Sequence, residues 1–244
     1  MTGPVDDDEG PRTGALVASR PRVTTWSNWA GNQRCRVPVL RPTTEPELCR
    51  IVAEAAASGR HVKAVGAGHS FTDVALTDGV LVDLREYDRV LAVDREACTV
   101  TVQAGARLHD LSRTLWTRGL ALTNLGDIDV QSVAGATATG THGTGLRFGN
   151  LSTAIVGMRL IDGTGGVHVL DAEHDPEAFS TARVGLGALG LVSTVTLQAE
   201  PAFHLHAVEE PRRVDEVLEA FDELVRAHDH YEFFWVPGTG WALT

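Results

Sequence analysis

The segment of residues 132–145 constrains the fold of this chain more than any other feature. It reads Ser-Val-Ala-Gly-Ala-Thr-Ala-Thr-Gly-Thr-His-Gly-Thr-Gly, without an acidic residue, a lysine or an arginine, and with almost no bulk. We therefore do not expect it to form a packed element by itself. Such a backbone suits contact with a large flat ligand, where Ser and Thr hydroxyl groups supply hydrogen bonds. A flexible linker is the alternative, although linkers favour Ser and Gly over Val, Ala and Thr.

A second segment that points to a ligand is a glycine-containing loop. Residues 61–65 are strand-like and run directly into Gly66, Ala67, Gly68, His69 and Ser70. Glycines leave backbone N–H groups unshielded and allow positive φ, so this loop can wrap closely around an anion. A histidine inside that loop would lie beside whatever the anion is attached to. A tight turn with an exposed histidine is the alternative for this loop taken alone.

The segments around this loop predict a mixed α/β pattern. A strand over residues 37–40 is followed by a helix, for which Thr44 and Glu47 form a capping box and Gly59 a stop. Its apolar face is formed by Leu48, Ile51, Val52, Ala55 and Ala56. Further strands are expected at residues 80–84, 90–93, 99–102, 156–161, 167–170 and 191–197, with helices over about 107–118 and after Asp175-Pro176.

The last part of the chain is expected to be a separate unit. Pro201 marks the boundary, and a strand is expected over residues 231–236. Before that strand, an amphipathic helix is predicted from the spacing of Val214, Val217, Leu218, Phe221, Leu224 and Val225.

Residues 185–190 match the GxGxxG pattern of nicotinamide-dinucleotide sites. That pattern must follow a strand and open a helix. Here it precedes the β-branched run of residues 191–197, which is a strand by local preference. We therefore reject this type of dinucleotide site.

Composition excludes several classes of protein. The net charge of −11 argues against nucleic acid as a partner, while a bound dinucleotide remains compatible because backbone N–H groups can hold phosphates. No apolar run is long enough to span a membrane. Residues 1–20 are acidic and show no signal-peptide pattern, so we expect a disordered tail and a cytoplasmic protein. The spacing of the three cysteines and of the histidines predicts neither a disulfide framework nor a metal site.

Taken in order, these segments resemble the FAD-linked oxidases of the vanillyl-alcohol oxidase superfamily. The similarity is greatest to the aldonolactone oxidoreductases, which include L-gulono-1,4-lactone and D-arabinono-1,4-lactone oxidases, and it runs from about Trp29 onward. It rests on Arg41-Pro42, on residues 65–70, 119–126 and 135–145, on Leu189-Gly190-Leu191-Val192 and on Phe234-Trp235-Val236-Pro237.

The resemblance implies an α+β fold with a two-lobed FAD-binding domain of the PCMH type. This domain would span residues 21–200, with lobes of about 21–90 and 91–200. Residues 201–244 would be the incomplete beginning of a substrate (cap) domain.

The cofactor implied is FAD, held between the lobes and bonded covalently to His69, as in many relatives. Residues 66–70 would cradle the pyrophosphate, and Val192 would meet the adenine through its backbone. The full set of cofactor-binding residues implied is Val65, Gly66, Ala67, Gly68, His69, Ser70, Asn124, Gly126, Asp127, Ser132, Gly135, Thr139, Gly140, Thr141, His142, Gly143 and Val192.

The reaction implied is hydride transfer from a sugar-1,4-lactone to flavin N5, followed by reoxidation of the flavin. Glycine at the position of Gly126 accompanies relatives that use oxygen, which favours oxygen as the acceptor over a cytochrome or a quinone. The relatives continue beyond the residue that matches Thr244, into a part with a His-Trp-(Gly/Ala)-Lys motif that this sequence does not contain. We therefore expect a fragment or a shortened product that turns over lactones poorly by itself, and we nominate no catalytic residue.

Two alternatives remain beside the lactone enzyme. An alditol oxidase of the same superfamily, acting on xylitol or sorbitol, is suited by residues 28–32 and by the Gly-His-Ser-Phe sequence of residues 68–71. The second alternative is a non-catalytic flavin-binding remnant. Its incomplete cap would leave an apolar patch through which the chain could self-associate.

Overall fold

The computed structural model describes residues 23–244. The predicted acidic tail of residues 1–20 therefore lies outside the described residues. The described chain contains four β-sheets and six α-helices, and two of the sheets carry most of the core.

The first sheet lies at the N-terminal end and has the strand order β1-β2-β4-β3. Strand β1 pairs antiparallel with β2, while β2, β4 and β3 are mutually parallel. Helix α1 makes the crossover between β2 and β3. The elements are β1 (Val23–Ser27), β2 (Arg34–Leu40), α1 (Glu45–Ala57), β3 (Val62–Val65) and β4 (Val80–Asp83).

Helix α1 forms as its sequence predicts. The Thr44 hydroxyl accepts a hydrogen bond from the backbone N–H of Glu47, but the Glu47 carboxylate accepts from the N–H of Thr43 and not of Thr44, so only half of the predicted capping box forms. The helix ends at Ala57, with Ser58 as its C-cap. Leu48, Ile51, Val52 and Ala55 are buried, whereas Ala56 is exposed, so the predicted apolar face was one residue too wide.

The second sheet is antiparallel throughout, with the strand order β5-β6-β10-β8-β9. A small two-stranded sheet, β7 with β11, lies beside it. Two 3-10 turns, Leu84–Glu86 and Leu151–Ala154, lead into this part of the chain. Its elements are β5 (Val90–Asp94), β6 (Thr99–Gln103), α2 (Leu108–Trp116), β7 (Leu120–Ala121), α3 (Val133–Ala138), β8 (Ile155–Ile161), β9 (Val167–Asp171), α4 (Pro176–Ala182), β10 (Leu191–Gln198) and β11 (Glu200–Pro201).

Helix α3 corrects the expectation that residues 132–145 do not form a packed element. Ser132 caps the helix through its hydroxyl, and Val133, Ala134, Ala136 and Thr137 are buried. The expectation was wrong because it counted only the volume within the segment. The helix packs into a core whose bulk comes from α2, β6 and β10, and its small side chains allow that close packing.

The rejection of a nicotinamide-dinucleotide fold is confirmed, because residues 185–190 lead into strand β10. Gly190 has a positive φ of 144°, and a Cβ there would lie 2.2 Å from the carbonyl oxygen of Ile161. Gly190 therefore allows the start of β10 to approach the end of β8 closely.

The last segment forms a third, smaller sheet with the order β12-β14-β13. The single amphipathic helix that the sequence predicts is divided at Ala220, and within it only Val217 is buried. Its other apolar side chains have little core to pack against, so the sequence pattern alone does not keep the helix continuous. The predicted strand of residues 231–236 is shorter than expected. The elements are β12 (Pro211–Arg213), α5 (Val214–Glu219), α6 (Phe221–Ala227), β13 (Phe234–Val236) and β14 (Trp241–Leu243).

Helix α1 joins the first sheet to the second. Its apolar face packs in one cluster with Val80 and Val82 of the first sheet and Ile161 and Leu191 of the second. The Glu45 carboxylate, at the first turn, forms a bidentate pair with Arg159 of β8 at 2.9 and 2.6 Å.

A short hydrogen-bond chain extends this ion pair into the core. The Ser193 hydroxyl donates to Glu45 at 2.7 Å, and its oxygen lies 2.9 Å from the hydroxyl of the buried Tyr87. The hydrogen bond from Arg159 is the main cause that lowers the pKa of Glu45 from its usual value of 4.5. The ionised carboxylate therefore stabilises the junction of the two sheets.

We predict that Glu45→Gln lowers the free energy of unfolding at pH 7 by about 1.5–3 kcal/mol, because it removes a charge-assisted hydrogen-bond pair. Since the folded pKa is lowered, this stabilisation is complete above the unfolded pKa and is lost as the pH falls through the folded value. The difference from wild type should therefore shrink below about pH 4.5. Urea unfolding at several pH values measures it.

Glu54→Gln is the matched control, since Glu54 lies on the same helix and forms an exposed pair with Arg50. Glu54→Gln should change the free energy of unfolding by no more than about 0.5 kcal/mol. Equal effects of the two substitutions would show that the Glu45 pair does not stabilise the junction.

Candidate cofactor-binding site

A cleft opens between the first and second sheets. One wall is β3 with the loop that follows it, and the opposite wall is α3 with the residues that lead into β10. The lining residues are Trp26, Val62, Lys63, Ala64, Val65, Gly66, Ala67, Gly68, His69, Ser70, Val74, Ala75, Leu84, Gln131, Ser132, Ala134, Gly135, Ala138, Thr139, Leu186, Gly187, Gly190, Leu191 and Val192.

Gly66 brings the two walls into direct contact. A Cβ built on Gly66 would lie 1.8 Å from the hydroxyl oxygen of Ser132, so only glycine fits at this point. Ser132 is buried and caps α3 by accepting from the backbone N–H of Gly135. The predicted loop and the predicted small-residue segment therefore meet at the cleft.

The loop of residues 66–70 lines the cleft and has backbone donors without a partner. Within residues 23–244, the N–H groups of residues 67–70 donate no hydrogen bond. Two of its carbonyl oxygens are occupied: Gly68 O accepts from the Trp29 backbone at 2.8 Å, and Ser70 O accepts from the Asn28 side chain at 2.9 Å. A loop with several free N–H groups is suited to an anion.

The cleft contains little charge of its own. Lys63 and the titratable His69 are the only lining residues of the described chain that can carry charge. The other lining side chains are apolar or uncharged. A ligand with a flat apolar part and a compact anionic part matches this lining, because the backbone donors can hold the anion without a cluster of basic residues.

The structure brings ten of the predicted residues to this cleft: Val65, Gly66, Ala67, Gly68, His69, Ser70, Ser132, Gly135, Thr139 and Val192. The other seven are not among its lining residues. They are Asn124, Gly126, Asp127, Gly140, Thr141, His142 and Gly143.

Most of these seven lie together in two neighbouring loops. A Cβ on Gly143 would lie 2.1 Å from the carbonyl oxygen of Leu125, and one on Gly126 would lie 3.0 Å from that of His142. The Asn124 side chain donates to the carbonyl oxygen of Thr144 at 3.0 Å. The two loops therefore lie so close together that a side chain at position 143 would collide with the other loop and one at position 126 would be tightly crowded.

Gln131 connects the loop pair to the cleft and was missed by the sequence analysis. It lines the cleft, and its amide nitrogen lies 3.3 Å from the Thr141 hydroxyl. Its side-chain oxygen is buried and has no hydrogen-bond partner among the described residues. A ligand donor could satisfy this oxygen. The only signal in the sequence was its position directly before the small-residue segment.

Trp26 was also missed, since nothing in its sequence surroundings points to a ligand. It lies on β1, and its ring would be 3.2 Å from a Cβ on Gly68, which has a positive φ of 72°. The indole therefore packs beneath the loop and limits Gly68 to glycine. Asp127 is exposed and makes no hydrogen bond or ion pair with another described residue.

Over residues 23–244 the structure shows neither a cluster of three potential metal ligands nor a helix long and apolar enough to cross a membrane. Cys35, Cys49 and Cys98 are all free.

Comparison with known proteins agrees with this geometry. A family model described as FAD binding domain matches residues 38–171, more than half of the chain. A second model, described as D-arabinono-1,4-lactone oxidase, matches residues 195–244.

Several curated relatives match nearly the whole chain. An L-gulono-1,4-lactone dehydrogenase of Mycobacterium tuberculosis is 50% identical over 90% of this chain and 51% of its own length. L-gulonolactone oxidase of Mus musculus is 38% identical over 87% of this chain and 48% of its own. D-arabinono-1,4-lactone oxidase of Eremothecium gossypii is 36% identical over 92% of this chain and 43% of its own length. The chain thus spans about half the length of the curated relatives it matches.

The fold is similar to that of cholesterol oxidase from Brevibacterium sterolicum, with a TM-score of 0.79 and 20% identity over 91% of this chain and 47% of that chain. A solvent-stable cholesterol oxidase matches with a TM-score of 0.77. The predicted α+β FAD-binding fold is confirmed. On the match to residues 38–171, this chain belongs to the FAD binding domain family, as its sequence predicts.

Proposed function

We propose that this chain is the FAD-binding part of an oxidoreductase that oxidises a CH–OH group of a sugar-1,4-lactone of the gulono, arabinono or galactono type. The observation that carries the proposal is the loop of residues 66–70, which lines a cleft of low charge and in which the N–H groups of residues 67–70 donate no hydrogen bond within the described chain. The substrate class is supported by the names of the relatives and by the match of residues 195–244.

FAD would lie in the cleft with its pyrophosphate on the N–H groups of residues 66–70. Ser132, Gly135 and Thr139 would border it from α3, and the backbone of Val192 would border the adenine. The loop pair that includes Asn124, Gly126, Asp127 and residues 140–143 would adjoin the flavin through Gln131. Bound FAD supplies the two-electron redox chemistry, and these residues bind and orient it.

We further propose that residues 21–200 form the FAD-binding domain, with lobes of about 21–90 and 91–200, and that residues 201–244 begin a cap domain. The separation of the sheets supports this division. The first sheet ends at Asp83, the second begins at Val90, and the third lies wholly within residues 211–243.

The flavin would be bonded covalently to His69. His69 lines both the cleft and a shallow groove that is also lined by Arg107, His109, Asp110 and Val130. His69 therefore lies at the end of the cleft. The bond would join a ring nitrogen to the 8α-methyl carbon. One hydrogen leaves each atom, and the two electrons pass through the flavin to molecular oxygen, which becomes hydrogen peroxide.

Oxygen would also accept the electrons during turnover. Gly126 supports this choice through the resemblance to oxygen-using relatives, while a relative named a dehydrogenase leaves another acceptor as the alternative. A Cβ at position 126 would lie 3.0 Å from His142 O and 3.3 Å from the Thr141 methyl carbon. An alanine there would therefore press on the loop that adjoins the flavin.

The covalent attachment predicts that yellow fluorescence stays with the polypeptide after denaturation in acid. His69→Ala should release all of the flavin, while His206→Ala, which changes an exposed histidine outside the cleft, should not. Gel fluorescence after acid precipitation measures both. Release of flavin from the wild-type chain would contradict the tether and leave non-covalent FAD binding in place.

The substrate class predicts that L-gulono- and D-arabinono-1,4-lactone reduce the flavin faster than xylitol or sorbitol does. The polyols test the alditol oxidase alternative, which the sequence of residues 28–32 favours through its resemblance to that group. Anaerobic bleaching of the flavin, in the longest form of the protein that its gene encodes, measures the rates. The flavin bound to residues 1–244 alone should be reduced slowly by either class of substrate. Faster flavin reduction by the polyols than by the lactones would exclude the lactone assignment.

The exposed face of the third sheet supports self-association of this chain, as the remnant alternative expects. Phe234 is 57% exposed, and Val236, Trp241 and Leu243 lie on the same face of the sheet, because Phe234 pairs with Leu243 and Val236 with Trp241. We expect sedimentation to show dimers or larger species that Trp241→Lys dissociates. Trp116→Lys, which changes another exposed indole, should not do so. A wild-type monomer at all concentrations would contradict this association.

A further inference from the structure

Trp29 covers one face of the His69 ring. The ring centroids are 5.4 Å apart and the planes are inclined by 20°, which is a stacked arrangement. Such a contact covers the face of the imidazole and leaves its edge, with both nitrogens, free. Among the described residues no hydrogen bond or ion pair reaches those nitrogens, so stacking is the contact that sets the plane of this ring.

A hairpin turn holds Trp29 in this place. The Trp29 N–H donates to the carbonyl oxygen of Gly68, directly before His69, at 2.8 Å. Asn28, which is 5% exposed, donates to Ser70 O at 2.9 Å and to the Asn32 side chain at 2.7 Å. Both rings are therefore carried by segments that are hydrogen bonded to each other on either side of His69.

Burial does not explain the position of the indole. Trp29 is 68% exposed, and Phe71 meets it edge-on at 6.3 Å while being 62% exposed itself. A side chain this exposed contributes little to the core. The contact that accounts for the position of the Trp29 indole is its stacking on the His69 ring.

We infer that Trp29 is a positioning residue for His69, holding the imidazole plane so that a ring nitrogen is presented for bonding to the flavin. This inference rests on the covalent attachment proposed above. It assigns Trp29 to formation of the bond and not to binding of FAD, since Trp29 is absent from the residues that line the cleft.

The test is the time course of acid-stable flavin after FAD is added to the chain expressed without riboflavin. Trp29→Leu should form the bond about tenfold more slowly, the factor that a stack of this kind is worth. Trp29→Phe keeps an aromatic face and should recover most of the rate. Trp116→Leu is the matched control, because Trp116 is 53% exposed and meets His204 edge-on at 5.2 Å, away from the cleft.

Two further measurements separate positioning from binding or folding. In a His69→Ala background, where no bond can form, FAD should bind with the same affinity whether or not Trp29→Leu is present. In NMR spectra, the His69 ring protons should lose the ring-current shift of the indole in Trp29→Leu and keep it in Trp116→Leu.

Any one of three results would overturn the inference: a wild-type rate in Trp29→Leu, a rate for Trp29→Phe as low as that of Trp29→Leu, or a parallel loss of FAD affinity. A wild-type chain without acid-stable flavin would remove the covalent attachment and this inference with it. The affinity measurement would still decide separately whether FAD binds.

Discussion

Close contact between Gly66 and Ser132 is the constraint on which the rest of the structure depends. It joins the end of β3, in the first sheet, to the start of α3, which packs on the second, and no side chain fits between them. The two sheets cannot close further at this point, and the Glu45–Arg159 pair of α1 holds them together elsewhere. The cleft is the space that remains between these two connections, and the loop of residues 66–70 lines it.

Local sequence patterns predicted most of this fold because they determine single elements. The cap at Thr44 and the spacing of Leu48, Ile51 and Val52 are complete within one helix, and the β-branched run before Gln198 is complete within one strand. Helix α3 was missed because its burial depends on bulk supplied by β6, β10 and α2. The break at Ala220 was missed for the opposite reason, since an apolar pattern there meets little core.

The candidate site divides in the same way. Residues 66–70 and Ser132 were predictable from glycine content and small side chains, and they line one cleft. Trp26 and Asn28 act over long sequence separations, on Gly68 and Ser70, so no local pattern shows these contacts, and the one local signal for Gln131 was its position before the small-residue segment. The loop pair around Gly126 and Gly143 adjoins the cleft, and its place beside the flavin comes from the family resemblance and not from the lining of the cleft.

The central claim is that FAD lies between the two sheets with its pyrophosphate on the loop that follows β3. Amide hydrogen exchange of the cofactor-free chain, measured by mass spectrometry with and without FAD, tests it most directly, because the N–H groups of residues 67–70 are free in the described structure. The account predicts strong protection of peptides that contain residues 66–70 and 132–139, with little change in residues 211–243. Bound FAD that leaves residues 66–70 unprotected, or protects only residues beyond 200, would contradict it.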